Sequence, residues 1–324
     1  MNNIDTIAKS LKKAIEKFDT IAVFRHTMPD FDALGTQWGL VTFIRENYPE
    51  KTVYSLGEPH KKFTGLLYPE SDIISDEELD SKPFLSIIVD TGNSARISDE
   101  RFSKGAYLIK IDHHPAVENY ANENYVLDSC AAASEFIGRI LFSKVFKKQV
   151  VTKNAAKYLY SGIVGDCGRF QYPSTSKDTF DVAAKLVNTG FDLQLDVYQP
   201  MYMKKVEDLR ISAYVLSNFI MSEHGVAYYY MDQETQDKFN ITVERGKENI
   251  NLLSNIEEIK IWVSFTFDTD EDLWRVSIRS RHGVTVNGVA AKYNGGGHAN
   301  ACGAKAKDKE ETLALIKDLD DLLI

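Results

Sequence analysis

Three short apolar runs, each closing on an acidic residue or a histidine, dominate the first half of this 324-residue chain. Ile21 to Phe24 leads into His26, FLSIIV leads into Asp90, and YLIKI leads into Asp112. Near-continuous β-branched runs of this kind read as strands covered on both faces, which implies a parallel sheet with helices above and below it. The intervening segments carry apolar residues at helical spacing. One helix is predicted from Ala33 to Tyr48, ended by Pro49, and a short strand from Thr52 to Leu56. A long helix is predicted over 130–147, with Ser134 and Glu135 polar among apolar neighbours, and NAAKYLYSGIVGDCG reads as a helix that ends at Asp166. Ser176 caps a further helix to Val187, which Gly190 stops. FDLQLDVYQPMYMKK reads as a connector into a linker helix near 203–221. Beyond Gly225, AYYYM, KIWVSFTF and LWRVSIRS read as strands and the charged C-terminus as a final helix. The expected organisation is an α/β catalytic domain over 1–189, a linker over 190–221 and a smaller α/β domain over 222–324.

The candidate chemistry sits where the strands end. In open α/β sheets ligands bind beyond the carboxyl ends of the strands. His26, Asp30 and Asp32 follow the first run, Asp90 the second, and Asp112, His113 and His114 the third, while Asp166 arrives from a helix end. Two-residue periodicity places Asp30 and Asp32 on one side of an extended segment. Taken singly, each has an ordinary reading, since an aspartate after a strand is most often a helix cap or a turn residue. DFDALG imitates a calcium loop, but Leu34 and Val41 occupy positions that need oxygen ligands. No GxxxxGK[ST] motif is present. The concurrence of ligand-type residues at three strand ends favours a site for two divalent metal ions.

Charge narrows the choice of partner. With 38 Lys and Arg against 47 Asp and Glu, the net charge of −9 argues against a long nucleic-acid track. Cys130, Cys167 and Cys302 form no CxxC pair, which fits reduced thiols in a cytoplasm. The opening helix, with Ile4, Ile7, Leu11, Ala14, Ile15 and Phe18 on one side, is expected to pack on its own domain. No run reaches membrane-spanning length.

His26-x-x-x-Asp30-x-Asp32, Asp90, Asp112-His113-His114 and Asp166 resemble the four motifs of the DHH phosphoesterases, and Gly295-Gly296-Gly297-His298 resembles the glycine-rich signature of their DHHA1 domain. Length and layout are most similar to the bifunctional oligoribonuclease and 3'-phosphoadenosine 5'-phosphate (pAp) phosphatase group, whose relatives cut the dinucleotide pApA. The resemblance implies a parallel-sheet DHH domain, a DHHA1 domain and an active site in the cleft between them. It implies that His26, Asp30 and Asp90 hold one ion and that Asp32, Asp90, His113 and Asp166 hold the other, with Asp90 bridging. His114 would face the substrate as a phosphate contact or proton donor, and Asp112 would orient an imidazole. Mixed imidazole and carboxylate ligation favours manganese. In the DHHA1 part, alternation places Arg275, Arg279 and Arg281 on one strand face, opposite Trp274, Val276 and Ile278. With Gly295, Gly296, Gly297, His298 and Arg169 they are the candidate substrate contacts. Tyr293 is a candidate for base stacking or, better, for core packing. The expected substrates are very short RNA, pApA and pAp, and a second copy of the chain is a candidate partner. The competing readings are a family-II inorganic pyrophosphatase, a RecJ-like single-strand exonuclease and a nucleotide-binding sensor.

Overall fold

The computed structural model describes residues 3–59 and 67–324 as two compact units, Met1–Met203 and Lys204–Ile324. The first is built on five strands: β1 Thr20–Phe24, β2 Thr52–Ser55, β3 Phe84–Val89, β4 Tyr107–Asp112 and β5 Glu123–Val126. They pair in the order β2-β1-β3-β4-β5, parallel throughout, as the covered apolar runs predicted. All six residues of β3, the middle strand, are buried. The opening helix Ile4–Lys17 packs into this unit through Ile7, Leu11 and Ile15.

The helix Phe31–Asn47 follows β1 and is buried along nearly its whole length, so its sequence shows no amphipathic stripe. Even its polar Gln37 is used inside, donating to Val23 O at 2.7 Å and Leu56 O at 2.8 Å. Its neighbour is the helix Lys153–Asp166, and glycines let the two backbones approach. A Cβ on Gly35 would lie 2.5 Å from Tyr158 O and 2.9 Å from Gly162 Cα.

Two predicted elements take different forms. The helix expected over 130–147 is confined to Ala133–Leu141, followed by a 3-10 turn at Lys144–Phe146. It starts at Ala133 because the N–H groups of Ala133 and Ser134 are spent on the Asp32 carboxylate, and Ala132 before them is extended. The presumed connector is instead helical, with a π-turn at Leu193–Tyr198 and an α-turn at Gln199–Tyr202; the Asp192 carboxylate caps the former by accepting from Gln194 N and Leu195 N.

The second unit has its own sheet of β6 Ile220–Met221, β7 Val226–Met231, β8 Ile261–Asp268, β9 Leu273–Ser280, β10 Gly296–His298 and β11 Ala301–Ala306, ordered β10-β11-β9-β8-β7-β6. All pairs are antiparallel except β7 with β8. One face packs against the helix Lys309–Asp320 through Tyr228, Val263, Val276 and Leu315. The other packs against the helix Val206–Asn218 through Ala227, Tyr229, Ile211 and Val215. No described helix is long and apolar enough to cross a membrane.

The contact between the two glycine-bearing helices reverses an ordinary propensity. An exposed helical glycine replaced by alanine gains about 1 kcal/mol. At Gly35 the added methyl meets backbone atoms that have no room to yield, so Gly35→Ala is expected to destabilise by about 1–3 kcal/mol, read as a lower urea midpoint.

Candidate metal centre

The site is assembled at the carboxyl ends of β1, β3 and β4. Two residues past β1, His26 is buried and its Nδ1 lies 2.7 Å from Thr27 O. Donation of an Nδ1 proton to that carbonyl leaves Nε2 as the lone-pair nitrogen. This Nε2 faces Asp90 Oδ2 at 3.5 Å and Asp30 Oδ2 at 3.8 Å.

Asp30 and Asp32 do not lie on an extended segment. Asp30 is the N-cap of the helix Phe31–Asn47, where Oδ1 accepts from Asp32 N and Ala33 N, both at 3.0 Å, and Asp32 lies in the first turn. Capping overrides the two-residue alternation because it satisfies helix N–H groups that otherwise have no partner. The cap and the ligand reading are compatible, since one carboxylate oxygen serves the helix while the other faces His26. Asp32 is buried, with Oδ2 accepting from Ala133 N at 2.6 Å and Oδ1 from Ser134 N at 2.9 Å and Thr36 Oγ1 at 3.1 Å. The N-terminus of the helix Ala133–Leu141 is thereby aimed at a carboxylate, the charge its dipole favours.

Asp90 stands at the centre. It is buried immediately after β3 with a left-handed backbone, φ 50°. Its Oδ1 is 3.4 Å from His113 Nε2 and 3.6 Å from His114 Nδ1, yet has no hydrogen-bond partner among the described residues. His113 Nδ1 meets Cys130 O at 3.3 Å, and its Nε2 is also 3.7 Å from Asp32 Oδ2 and 3.3 Å from Asp166 Oδ2. Asp166, the last residue of its helix, reaches the cluster from a helix rather than a strand end. Three sets of donor atoms, each within 4.8 Å, result: His26, Asp30 and Asp90; Asp32, His113 and Asp166; and Asp90, His113 and His114.

The electrostatics of this cluster ask for a cation. Burial, then the neighbouring Asp90 and Asp166, push the Asp32 carboxyl well above the usual range, and burial pushes Asp166 up as well. Burial opposes charge on His113, but the surrounding carboxylates prevail and raise it to about 10. Burial also works against ionisation of Asp90, which the facing imidazoles hold down at about 2. Convergent carboxylates, Nε2 atoms directed at them and the orphaned buried Oδ1 of Asp90 together fit divalent ions.

In the third of the donor sets, His114 is half exposed and donates from its backbone N at 3.2 Å and its Nδ1 at 2.8 Å to Asp112 Oδ1. The other oxygen of buried Asp112 faces the buried Lys110 ammonium at 3.3 Å. Sequence reading missed Lys110, Thr36 and Arg25; Arg25 is buried beside His26 and donates to Gln37 Oε1 at 2.9 Å and Glu58 O at 2.7 Å. For Lys110 and Arg25 the available signal was a cation embedded in, or next to, an otherwise apolar run.

The candidate substrate contacts are distributed differently. Arg169, in the first unit, has a left-handed backbone, and its guanidinium lies 4.7 Å from the centre of the Tyr202 ring. In the second unit Arg275 is ion-paired with Asp268 and, at 3.0 Å, with Glu271. Arg279 is half-buried and donates to Ile278 O at 2.9 Å, whereas Arg281 lies past the end of β9 and reaches Ile256 O. The glycine run forms the β10–β11 hairpin, with Gly296, Gly297 and His298 exposed. Gly295 is tightly enclosed, for a Cβ there would be 2.1 Å from Gly303 O. An open cavity of about 420 Å³ is lined by Arg275, Ser277, Gly295, Gly296 and Lys305 among others. Tyr293 packs against the second unit's core.

Comparison with known proteins gives two family matches: the DHH family, N-terminal domain, over residues 20–163, and the DHHA1 domain over 223–324. The bifunctional oligoribonuclease and PAP phosphatase NrnA of Bacillus subtilis (strain 168) is 35% identical over 315 residues, 96% of this chain and 97% of that protein. A probable protein of the same name from Streptococcus mutans is 35% identical over 98% of this chain and 99% of its own. Among solved structures, an exopolyphosphatase-related protein from Bacteroides fragilis aligns with a TM-score of 0.85 at 24% identity, covering 98% of this chain and 96% of its own, which shows a shared fold.

Because Asp90 belongs to two of the donor sets, Asp90→Asn is expected to weaken divalent-ion binding at both sets together by at least about tenfold. Manganese titration calorimetry and elemental analysis after dialysis measure this, and two tightly retained ions would assign the bridge elsewhere.

Proposed function

The chain belongs to the DHH family and carries a DHHA1 domain, a phosphoester hydrolase, and from that premise we propose a manganese-dependent phosphodiesterase that releases mononucleotides from very short RNA and from dinucleotides such as pApA. In the same reading it also converts pAp to AMP. The observation that carries this proposal is the sharing of Asp90 between the His26 and His113 sides of the donor cluster. Near-full-length similarity to a relative named for both oligoribonuclease and PAP phosphatase activity supports the substrate class.

In this reading residues 1–189 carry the chemistry and 222–324 hold the substrate. His26, Asp30 and Asp90 would hold one ion, and Asp32, Asp90, His113 and Asp166 the other. Such a pair, when bound, supplies acidification of an attacking water and neutralisation of charge on the phosphoryl oxygens. Manganese is favoured because imidazole and carboxylate donors are mixed. His114, with Nδ1 committed to Asp112, presents its remaining nitrogen to a phosphate oxygen or to the leaving group as a proton donor. Arg279 and His298 contact a substrate phosphate, and the exposed backbone of Gly296 and Gly297 permits its close approach. The net charge of −9 favours short substrates over long strands. Three buried, unpaired cysteines suit a reducing cytoplasm.

The test is product chromatography after incubating the manganese-loaded protein with pApA, a short RNA, a long RNA, pAp and pyrophosphate, each with a chelator control. Chelator-sensitive AMP release from pApA, short RNA and pAp is expected. Consumption of pyrophosphate alone, or of long strands alone, would overturn the proposal in favour of a pyrophosphatase or a processive exonuclease.

Arg279→Ala and His298→Ala are each expected to raise KM for pApA by about tenfold or more while two ions remain bound, since a lost charge-assisted phosphate contact costs about 1.5–3 kcal/mol. Loss of metal in either variant would remove these residues from the substrate side.

A further inference from the structure

Lys110 has no part in the proposed chemistry, yet it is completely buried beneath it. Alternation along β4 puts its side chain on the same face as Asp112, and both are completely buried. The ammonium donates to two backbone carbonyls and faces one carboxylate oxygen as an ion pair. Its Nζ is 2.8 Å from Gly92 O, 3.3 Å from Glu118 O and 3.3 Å from Asp112 Oδ2. Gly92 lies two residues beyond Asp90, and Glu118 lies four beyond His114, so one side chain joins the two loops that carry these groups. The Tyr120 ring covers the ammonium at 5.0 Å, and its hydroxyl donates to Thr91 O at 2.8 Å. The Asp112 carboxylate is divided: Oδ1 takes the His114 Nδ1 proton, and Oδ2 faces the Lys110 ammonium as an ion pair, with no hydrogen-bond partner among the described residues.

We infer that Lys110 is a positioning residue for phosphoester hydrolysis: it locks Asp112 and the loops after β3 and β4 so that His114 meets the substrate in one tautomer and one orientation. The inference rests on the reading of His114 as the substrate-facing group. A lysine that served only to offset a buried aspartate would affect stability alone.

The test compares Lys110→Met, Asp112→Asn and the double variant in the full-length, manganese-loaded protein. Lys110→Met is expected to lower kcat for pApA about 10–100-fold with KM and the two bound ions retained, the size typical of lost outer support to a reacting group. The double variant is expected to be no slower than the slower single variant, because both residues act through one imidazole. Independently of turnover, histidine-labelled protein should show a hydrogen-bonded Nδ1 proton on His114 by NMR, and Lys110→Met should lose it. Wild-type kcat in Lys110→Met, losses that multiply in the double variant, or an unchanged Nδ1 proton would each overturn the inference. Should wild type fail to cleave pApA, the functional reading falls, while the Nδ1 proton still decides the role of Lys110. If Lys110→Met does not fold, Lys110→Gln, which keeps a donor toward the two loop carbonyls but loses the charge facing Asp112, takes its place: a lowered kcat with the two ions retained is expected, and wild-type kcat would overturn the inference.

Discussion

The constraint on which the first unit depends is the mutual repulsion of Asp32, Asp90 and Asp166, whose carboxylates converge on His113 in a buried place. Left alone, such a group would take up protons or pull apart. The surrounding architecture holds it together by spending backbone N–H groups, a hydroxyl and facing imidazoles on its members. Ala133 N and Ser134 N close on Asp32, and the start of that helix is set by this contact rather than by helix propensity. Gly162 keeps the neighbouring helix near, since a side chain there would collide with Ser134 Oγ at 2.0 Å and Asp32 Oδ1 at 2.9 Å. The close approach of the two long helices and the geometry of the donor cluster are therefore one feature seen from two sides.

Several residues carry two duties. Asp30 caps a helix with one oxygen and faces His26 with the other. His26 and His113 each direct Nδ1 at a backbone carbonyl, which commits the opposite nitrogen to the centre. Arg25 and Lys110 lie behind the ligands and bond the carbonyls of the adjoining loops. Local folding and site chemistry use the same atoms here, so propensity and function do not compete at these positions.

What was legible in the sequence follows from range. The near-continuous apolar runs announced β1, β3 and β4 and a parallel sheet, and ligand-type residues at their ends marked which side chains meet. Burial on both sides produces such runs without regard to distant partners. Asp30 and Asp32 were misplaced on an extended segment because period alone does not register a cap that starts one residue later. The helix over 133–141 was read too long because its first turn answers to Asp32, 101 residues earlier in the Ala133 contact. Lys110 passed unmarked inside the run YLIKI, since the carbonyls it bonds, Gly92 O and Glu118 O, lie in two loops far from it in sequence. The pairing of Arg275 with Asp268 and Glu271 was equally hidden, because alternation gives the face of a strand and not the company on it.

Asp90 holds a left-handed backbone, φ 50°, which glycine adopts at no steric cost and aspartate does not. Stability and the donor cluster therefore pull in opposite directions at this one position. A library of variants selected only for heat resistance would be drawn toward glycine there by the relief of backbone strain. The survivors would be robust folds without their shared carboxylate, so aspartate at position 90 is maintained only where selection acts on turnover.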